Sequence, residues 1–176
     1  MVKVFFLDRD GIINKKPTIH RYVTKWDEFK FNPDIFPVLK SLAEKGFRFV
    51  VITNQQGIGK GEYTEETLAE IHRNMINELD IKGIHIDGVF HCPHLESDNC
   101  FCRKPKPGLL YKAMNELNFT IDLKNSFFLG DSYSDIKAGN AFGIKTILIG
   151  PESKEELIQP DYRIDKLTDI KKLFED

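Results

Sequence analysis

The sequence predicts an α/β fold: a doubly wound, Rossmann-like parallel sheet. Short apolar runs of strand length alternate along the chain with stretches in which apolar residues recur at helical spacing. This alternation is typical of strand–helix–strand units, which build a parallel sheet covered by helices on both faces. The chain has 176 residues and no internal repeat, so we expect residues 1–176 to form a single domain.

The first strand candidate is the apolar run over residues 4–7, which ends in Asp8, Arg9, Asp10 and Gly11. The run is too short for a helix and is typical of a buried strand. Because side chains alternate along a strand, Asp8 and Asp10 would point the same way if the strand continued. Acids at the carboxyl end of a buried strand lie where open α/β sheets bind ligands. The alternative is a strand followed by a solvated acidic turn.

The remaining elements follow from the same two patterns and from residues that start or end helices. We predict a helix opened by Pro33 and Asp34 and closed by Gly46, a strand over 47–52, a helix starting at 64–67, and a strand over 86–91. A helix from 107, a strand over 126–131, a helix over about 134–141, a last parallel strand over 145–149 and a short helix near 167–174 come next.

The composition is that of an ordinary globular protein. Hydrophobic residues make up 41% and charged residues 30% of the chain, and the formal net charge is −2. This charge argues against non-specific binding to nucleic acid or to membrane surfaces. The sequence has no apolar run of transmembrane length, and residues 1–3 lead into a strand rather than a signal sequence. We therefore expect a cytoplasmic monomer with no nucleic-acid or membrane partner.

Four predicted strand ends carry polar side chains that suit phosphoryl transfer. They are Asp8 with Asp10, Thr53 with Asn54, the basic pair Arg103 and Lys104, and Asp131 with Asp135. If these groups meet at one edge of the sheet, Asp8 can attack the phosphorus of a small phosphorylated substrate and form an aspartyl-phosphate. Asp10 can give a proton to the leaving oxygen and later take one from water. Mg²⁺ would offset the carboxylate charge, while Thr53 and Lys104 hold the remaining phosphoryl oxygens.

These four segments resemble the four motifs of phosphatases of the haloacid dehalogenase superfamily. In order, they are Asp8-Arg9-Asp10-Gly11, Thr53-Asn54-Gln55, Arg103-Lys104-Pro105 and residues 130–135. The resemblance implies a sheet with the first strand at its centre, Asp8 as nucleophile and Asp10 as general acid and base. It also implies Mg²⁺ held by Asp8, the backbone carbonyl of Asp10 and Asp131. Asp135 would either join these ligands or support them through hydrogen bonds.

A second motif contains all three cysteines of the chain. Cys92 and His94 are followed, after five residues, by Cys100 and Cys102. Three thiolates and one imidazole complete a tetrahedral shell without an open position, so we expect a structural Zn²⁺. An odd number of clustered cysteines suits a metal better than disulfides, and the alternative is a set of reduced surface cysteines. We expect His91 to end a strand and face away from the cluster.

The zinc motif runs directly into Arg103-Lys104-Pro105, which sharpens the resemblance to two branches of the superfamily. One branch acts on heptose 1,7-bisphosphate and the other on histidinol phosphate, and neither has a large cap domain. The resemblance implies that small loops over 14–22, 57–62 and 92–104 shape the pocket. It also implies substrate contacts from Thr53, Asn54, Arg103 and Lys104.

Positive charge at the expected pocket rim bears on the choice between these substrates. The candidate side chains are those of Lys15, Lys16, His20, Arg21, Lys60 and Arg103. Such a rim favours a second phosphate and opposes the cationic amine of histidinol. We therefore predict removal of the 7-phosphate of D-glycero-D-manno-heptose 1,7-bisphosphate, with histidinol phosphate as the alternative substrate.

Less specific readings of the same features remain open. For Lys15 and Lys16 the alternative is a solvated side chain, and for the glycine-rich segment around Lys60 it is a flexible pocket wall. The parallel sheet and Asp8 would also suit a receiver-like signalling module phosphorylated by a partner kinase. An inactive, zinc-stabilised binding module is a third class.

Overall fold

The structure is a computed structural model that describes residues 1–17, 22–151 and 157–174. His20 and Arg21, two of the expected rim residues, lie outside the described residues. In the part that is described, no helix is both long enough and apolar enough to cross a bilayer.

A parallel six-stranded sheet forms the centre of the molecule, as predicted. Its strands are β1 (Val4–Leu7), β2 (Arg48–Asn54), β3 (Ile86–Cys92), β4 (Phe127–Gly130), β5 (Lys145–Ile149) and β6 (Tyr162–Ile164). The spatial order is β3-β2-β1-β4-β5-β6, which puts the first strand inside the sheet. The order reverses direction at β1, and this is the position where doubly wound folds bind ligands.

The prediction that residues 145–149 form the last strand is wrong. β6 follows β5 and pairs with it in parallel, with Ile147 opposite Tyr162 and Ile149 opposite Ile164. The strand has three residues, and only Ile164 is buried. A strand of three residues with one buried side chain shows no apolar run in the sequence. Its pairing with β5 holds it in the sheet.

In the described part of the chain, four α-helices connect the strands: α1 (Ile35–Glu44), α2 (Glu65–Ile81), α3 (Gly108–Glu116) and α4 (Tyr133–Phe142). Short 3₁₀ helices occur at Trp26–Glu28, Glu96–Asp98 and Leu123–Asn125, and the predicted C-terminal helix is a 3₁₀ helix over Leu167–Phe174. Thr64 caps α2, because its hydroxyl accepts a hydrogen bond of 3.2 Å from the backbone N–H of Thr67.

Alternating side chains of β1 divide the core between the two faces of the sheet. Phe5 and Leu7 pack in a cluster with apolar residues of α1, α2 and the C-terminal 3₁₀ helix. Val4 and Phe6 pack in a second cluster with residues of α3 and α4. Helices therefore cover both faces, which confirms the doubly wound architecture.

The register of the central strands brings three strand ends together. Leu7 pairs with Val51 on one side and with Leu129 on the other. The backbone N–H of Asp8 continues this pairing by donating to the carbonyl of Leu129 at 3.0 Å. Side chains that follow β1, β2 and β4 consequently converge at one edge of the sheet.

Candidate active site

A buried lysine joins two of the predicted acids. Lys104 Nζ lies 2.8 Å from Asp8 Oδ1 and 2.6 Å from Asp135 Oδ1, and it donates to the carbonyl of Ile52 at 3.0 Å. Lys104 is only 4% exposed. Burial lowers the pKa of this ammonium, but Asp135 and Asp8 outweigh the effect and raise the pKa above its usual range. Lys104 is therefore held charged between two carboxylates.

Asp8 lies directly after β1 and is held on one side. Its Oδ1 accepts hydrogen bonds of 2.8 Å both from Lys104 Nζ and from the backbone N–H of Arg9. Burial raises the pKa of Asp8 to about 7, and the attraction of Lys104 offsets only part of this. Within the described residues both bonds fall on Oδ1, which leaves Oδ2 as the oxygen better placed to react.

Asp10 is surrounded by hydrogen-bond donors. Arg9 Nη2 donates to both of its carboxylate oxygens at 2.9 and 3.0 Å, and Asn14 Nδ2 donates to Oδ1 at 2.9 Å. Gln55 Nε2 donates to Oδ2, also at 2.9 Å. Burial would raise the pKa of Asp10, but Arg9 and the amide donors outweigh it and hold the pKa below its ordinary value. The protein thus stabilises Asp10 as a carboxylate.

The pKa order of the two acids is the reverse of what their predicted roles require. A nucleophile must be ionised, whereas a general acid must carry a proton. In the protein alone, burial raises the pKa of Asp8 while donors lower that of Asp10. Positive charge close to Asp8 and an anionic phosphate close to Asp10 would each shift the pair towards the required order.

Asp131 follows β4 and completes a cluster of acids. Oxygens of Asp8, Asp131 and Asp135 all lie within 4.8 Å of one another. A set of carboxylate oxygens at such spacing suits Mg²⁺. The ammonium of Lys16 lies 2.7 Å from Asp131 Oδ2, so the cluster attracts positive charge. The residues present therefore fit a divalent cation.

Close backbone approach makes this cluster possible. Gly11 has a φ of +101°, and a Cβ placed there would lie 2.0 Å from Asp131 Oδ2. A side chain at this position would displace the carboxylate. Asp135 is fixed on both sides, because its Oδ1 pairs with Lys104 while its Oδ2 accepts from the hydroxyl and backbone N–H of Ser132 at 2.8 and 3.1 Å. This arrangement favours the supporting role for Asp135.

The other predicted substrate contacts are distributed around these acids. Thr53 is buried, and its hydroxyl oxygen accepts from Gln55 Nε2 at 2.8 Å. The amide of Asn54 is used on the backbone of Lys104, donating to its carbonyl at 3.1 Å and accepting from its N–H at 3.0 Å. Lys60 lies on an exposed turn with its ammonium 5.7 Å from the centroid of the Tyr22 ring.

An open cavity of about 350 Å³ lies beside Lys104. Its walls include Asn54, Arg103, Lys106 and Ser134. One guanidinium nitrogen of Arg103 (Nη1) is buried without a hydrogen-bond partner among the described residues. The basic residues that line the cavity, Arg103, Lys104 and Lys106, outnumber the acidic Glu96, so positive charge predominates next to the acids of the site, as expected for a site that accepts an anion.

The cysteine motif forms a compact cluster. The sulfur of Cys102 lies 3.2 Å from that of Cys92 and 3.4 Å from that of Cys100, while Cys92 and Cys100 are 3.6 Å apart. His94 Nδ1 lies 3.5 Å from the sulfur of Cys92 and 3.1 Å from that of Cys102. These separations are close to the edges of about 3.4–3.8 Å of a tetrahedron with Zn–S bonds of about 2.3 Å. The donors and their spacing fit Zn²⁺.

His91 faces away from this cluster, as predicted. Its Nε2 lies 2.8 Å from Glu65 at the start of α2. The next residue, Cys92, packs in the core cluster on the opposite face of the sheet.

Several residues of the site were given no role from the sequence, although Arg9 and Gln55 belong to the quoted motifs. Gln55 and Asn14 hold Asp10, Tyr63 donates to Gln55 Oε1, and His72 Nε2 lies 3.1 Å from Arg9 Nη1. One signal was available for His72, which occupies a position on the apolar stripe of α2 between buried Leu68 and Met75. Arg9 is fully buried although it stands between two acids at a strand end.

Comparisons with known proteins connect this geometry to phosphatases. The family model described as polynucleotide kinase 3 phosphatase matches residues 3–162. A D-glycero-alpha-D-manno-heptose-1,7-bisphosphate 7-phosphatase of Campylobacter jejuni is 41% identical over 154 residues, which are 88% of this chain and 86% of that protein. A histidine biosynthesis bifunctional protein of Campylobacter jejuni is 32% identical over 155 residues, covering 88% of this chain and 44% of that protein.

A solved structure is similar over nearly the whole chain. It is the D,D-heptose 1.7-bisphosphate phosphatase from B. bronchiseptica, crystallised with magnesium and phosphate. The TM-score is 0.86 at 27% sequence identity, with 98% of each chain covered.

Proposed function

Since this chain belongs to the haloacid dehalogenase superfamily, in the family described as polynucleotide kinase 3 phosphatase, and is a phosphoric monoester hydrolase, we propose that it removes one phosphate from a sugar bisphosphate. The proposal includes an aspartyl-phosphate on Asp8 and a requirement for Mg²⁺. The observation that carries it is the arrangement of Asp8, Lys104 and Asp135 at the sheet edge, with Asp10 alongside.

In the first step a carboxylate oxygen of Asp8 forms a bond to phosphorus, and the bond from phosphorus to the sugar oxygen breaks. Asp10 gives its proton to that leaving oxygen. Lys104 keeps Asp8 oriented through Oδ1, and the backbone N–H of Arg9 assists. In the second step water attacks the phosphorus of the aspartyl-phosphate, the bond from phosphorus to the Asp8 oxygen breaks, and inorganic phosphate leaves. Asp10 takes up the water proton, so both acids return to their starting state.

The remaining side chains serve the phosphate group and the cation. Thr53 and Lys104 would donate to phosphoryl oxygens. Mg²⁺ would be held by Asp8, Asp131 and the backbone carbonyl of Asp10, and it supplies positive charge to the phosphoryl oxygens. Zn²⁺ would be held by Cys92, His94, Cys100 and Cys102; it would order the loop that ends at Arg103 and Lys104.

The preferred substrate is D-glycero-D-manno-heptose 1,7-bisphosphate, with loss of the 7-phosphate. Two observations support it over histidinol phosphate. Relatives named for the heptose bisphosphate reach 41% identity, against 32% for the histidine biosynthesis protein. Arg103 and Lys106 at the cavity also favour a second phosphate over a cationic amine. Lys60 and Lys15 stay predicted rim contacts.

A direct comparison of substrates tests this proposal. With Mg²⁺ present, kcat/KM should be highest for the heptose bisphosphate, lower for histidinol phosphate and near background for an oligonucleotide with a 3′-phosphate. Faster turnover of histidinol phosphate would establish the alternative substrate. Turnover of no phosphate ester would leave the receiver-like module or the inactive binding module.

The covalent step has its own test. Borohydride reduces an acyl phosphate, so quenched wild-type enzyme should yield homoserine at position 8, detectable by mass spectrometry. Asp8→Asn should reduce activity to background, and Asp10→Asn should slow turnover by about 10²–10⁴-fold. Asp80→Asn, at an exposed position at the end of α2, is the matched control and should leave the rate unchanged. More than a tenth of wild-type kcat in Asp8→Asn would refute the assignment.

We also propose that residues 1–176 act as one domain and as a monomer. Size-exclusion chromatography with light scattering should give a mass near 20.3 kDa.

A further inference from the structure

One amide connects the predicted general acid to the predicted phosphate contact. Gln55 is 1% exposed, and its Nε2 donates both to Asp10 Oδ2 at 2.9 Å and to Thr53 Oγ1 at 2.8 Å. Its Oε1 accepts from the hydroxyl of Tyr63. Among the described residues, the side chain of Gln55 thus has three polar partners, and it links Asp10 and Thr53 to Tyr63.

The direction of these hydrogen bonds matters for both partners of Gln55. Because Thr53 Oγ1 accepts from the amide, its single hydrogen stays available for a phosphoryl oxygen. If the amide were reversed, Thr53 would donate to Gln55 instead. A reversed amide would also present Oε1 to Asp10 and accept the proton that Asp10 must give to the leaving group. The observed orientation is the one that serves both roles.

Tyr63 holds the amide in this orientation. Its hydroxyl donates to Oε1, and burial raises the pKa of Tyr63, so the hydroxyl keeps its hydrogen. The Tyr63 ring packs closely against the backbone of Gly57, since a Cβ added at Gly57 would lie 2.3 Å from Tyr63 Cε1. The glycine at position 57, in the segment for which a flexible pocket wall is one expectation, thus admits the Tyr63 ring.

We infer that Tyr63 and Gln55 are positioning residues that aim Asp10 at the leaving group and leave the Thr53 hydroxyl free to donate to the phosphate. The inference rests on the proposed function, since it needs Asp10 to protonate a leaving oxygen. Neither residue is assigned to contact the reacting atoms. Their effect on the rate passes through Asp10 and Thr53.

Leaving-group dependence separates this role from a purely structural one. An alkyl phosphate has a poor leaving group and needs the proton from Asp10, whereas p-nitrophenyl phosphate has a good one and does not. The value of kcat/KM reports only the steps up to leaving-group departure, so it includes this proton transfer and excludes hydrolysis of the aspartyl-phosphate. The alkyl substrate should be whichever sugar phosphate the wild-type enzyme hydrolyses fastest, so failure of the substrate assignment does not affect the test.

Tyr63→Phe should lower kcat/KM for the sugar phosphate by about 10–100-fold, which is part of the usual contribution of general acid catalysis. The same variant should change kcat/KM for p-nitrophenyl phosphate by less than about threefold. Gln55→Glu, which has no donor for Asp10 or Thr53, should lower the first value further and also weaken competitive inhibition by inorganic phosphate. Tyr111→Phe, at a half-exposed tyrosine on α3, is the matched control and should alter neither value.

Equal losses for both substrates in Tyr63→Phe would show a general structural role and overturn the inference. Unchanged values for both substrates would overturn it as well. If Tyr63→Phe fails to fold, the substrate ratio of Gln55→Glu decides by the same criterion. Absence of any turnover by the wild-type enzyme would instead refute the proposed function.

Discussion

Replacement of His72 by glutamine should make the protein less sensitive to mild acid. His72 is 8% exposed on α2, and its Nε2 lies 3.1 Å from Arg9 Nη1. A guanidinium has only donors, so Nε2 must accept this bond and the ring must be neutral. Burial, followed by the charge of Arg9, lowers the pKa of His72 to about 2. Glutamine retains an acceptor for Arg9 but does not titrate.

The sign of the effect follows from proton binding in the two states. The unfolded chain binds a proton at His72 below about pH 6.5, whereas the folded protein does not until the pH approaches 2. Stability is therefore fully present above pH 6.5 and falls as the pH decreases below it, by about 1.4 kcal/mol per pH unit. Between pH 7.5 and pH 5.0, the contribution of His72 amounts to a loss of about 2 kcal/mol.

Urea unfolding monitored by the single tryptophan, Trp26, measures this difference. The free energy of unfolding of the wild-type protein should fall by about 2 kcal/mol more than that of His72→Gln between pH 7.5 and pH 5.0. Asp8 has the opposite sign, because its raised pKa makes stability decrease with rising pH, but it is present in both proteins and cancels.

His85→Gln provides the matched control. The side chain of His85 is 72% exposed, so the variant should follow the wild-type pH dependence. Identical pH dependence of the wild-type protein and His72→Gln would refute the reasoning, because it would mean that His72 titrates normally in the folded state.

Three further changes test other parts of the site. Lys104→Met should abolish turnover and lower the free energy of unfolding by about 3–5 kcal/mol, because it leaves two buried carboxylates without their shared cation; initial rates and urea unfolding measure both effects. Elemental analysis should find about one zinc per chain, and Cys100→Ser should lose the zinc, melt at a lower temperature and raise KM; a zinc-free protein with full activity and stability would contradict this. Gly11→Ala should weaken Mg²⁺ binding by more than about tenfold in calorimetry, since a Cβ would collide with Asp131. Gly61→Ala, which shares a positive φ but has open space around its Cβ, should bind Mg²⁺ normally.

The sheet and the meeting of its strand ends could be predicted because they depend on short-range patterns. β1, β2, β4 and β5 each carry an apolar run, and acids or polar residues directly follow β1 and β4. Parallel pairing then brings those ends together without any further information. Tyr162–Ile164 could not be found in this way, because three residues with one buried side chain give no periodic signal.

The surroundings of the acids could not be predicted, because they depend on pairs far apart in sequence. An arginine is usually exposed at the surface. Arg9 is buried because its guanidinium hydrogen-bonds to His72, 63 positions later in the chain, as well as to the adjacent Asp10. Gln55 contacts Asp10 across 45 positions. Hydrogen-bond partners at such separations are set by the packing of α2 and the loops, which no local pattern records.

Charge at the site explains why the protein alone does not prepare Asp8 for attack. Asp8, Asp131 and Asp135 bring three carboxylates together, and within the described residues two ammonium groups, those of Lys104 and Lys16, pair with them. One negative charge is left in excess. Burial disfavours the charged form of Asp8 and so raises its pKa. A phosphate dianion that comes close to these three carboxylates would meet repulsion from this excess charge, although Arg103 and Lys106 at the neighbouring cavity attract it. A divalent cation would reverse the balance, favour the ionised form of Asp8 and make room for the substrate charge. The excess negative charge is therefore a physical reason, independent of any relative, to expect that activity requires Mg²⁺.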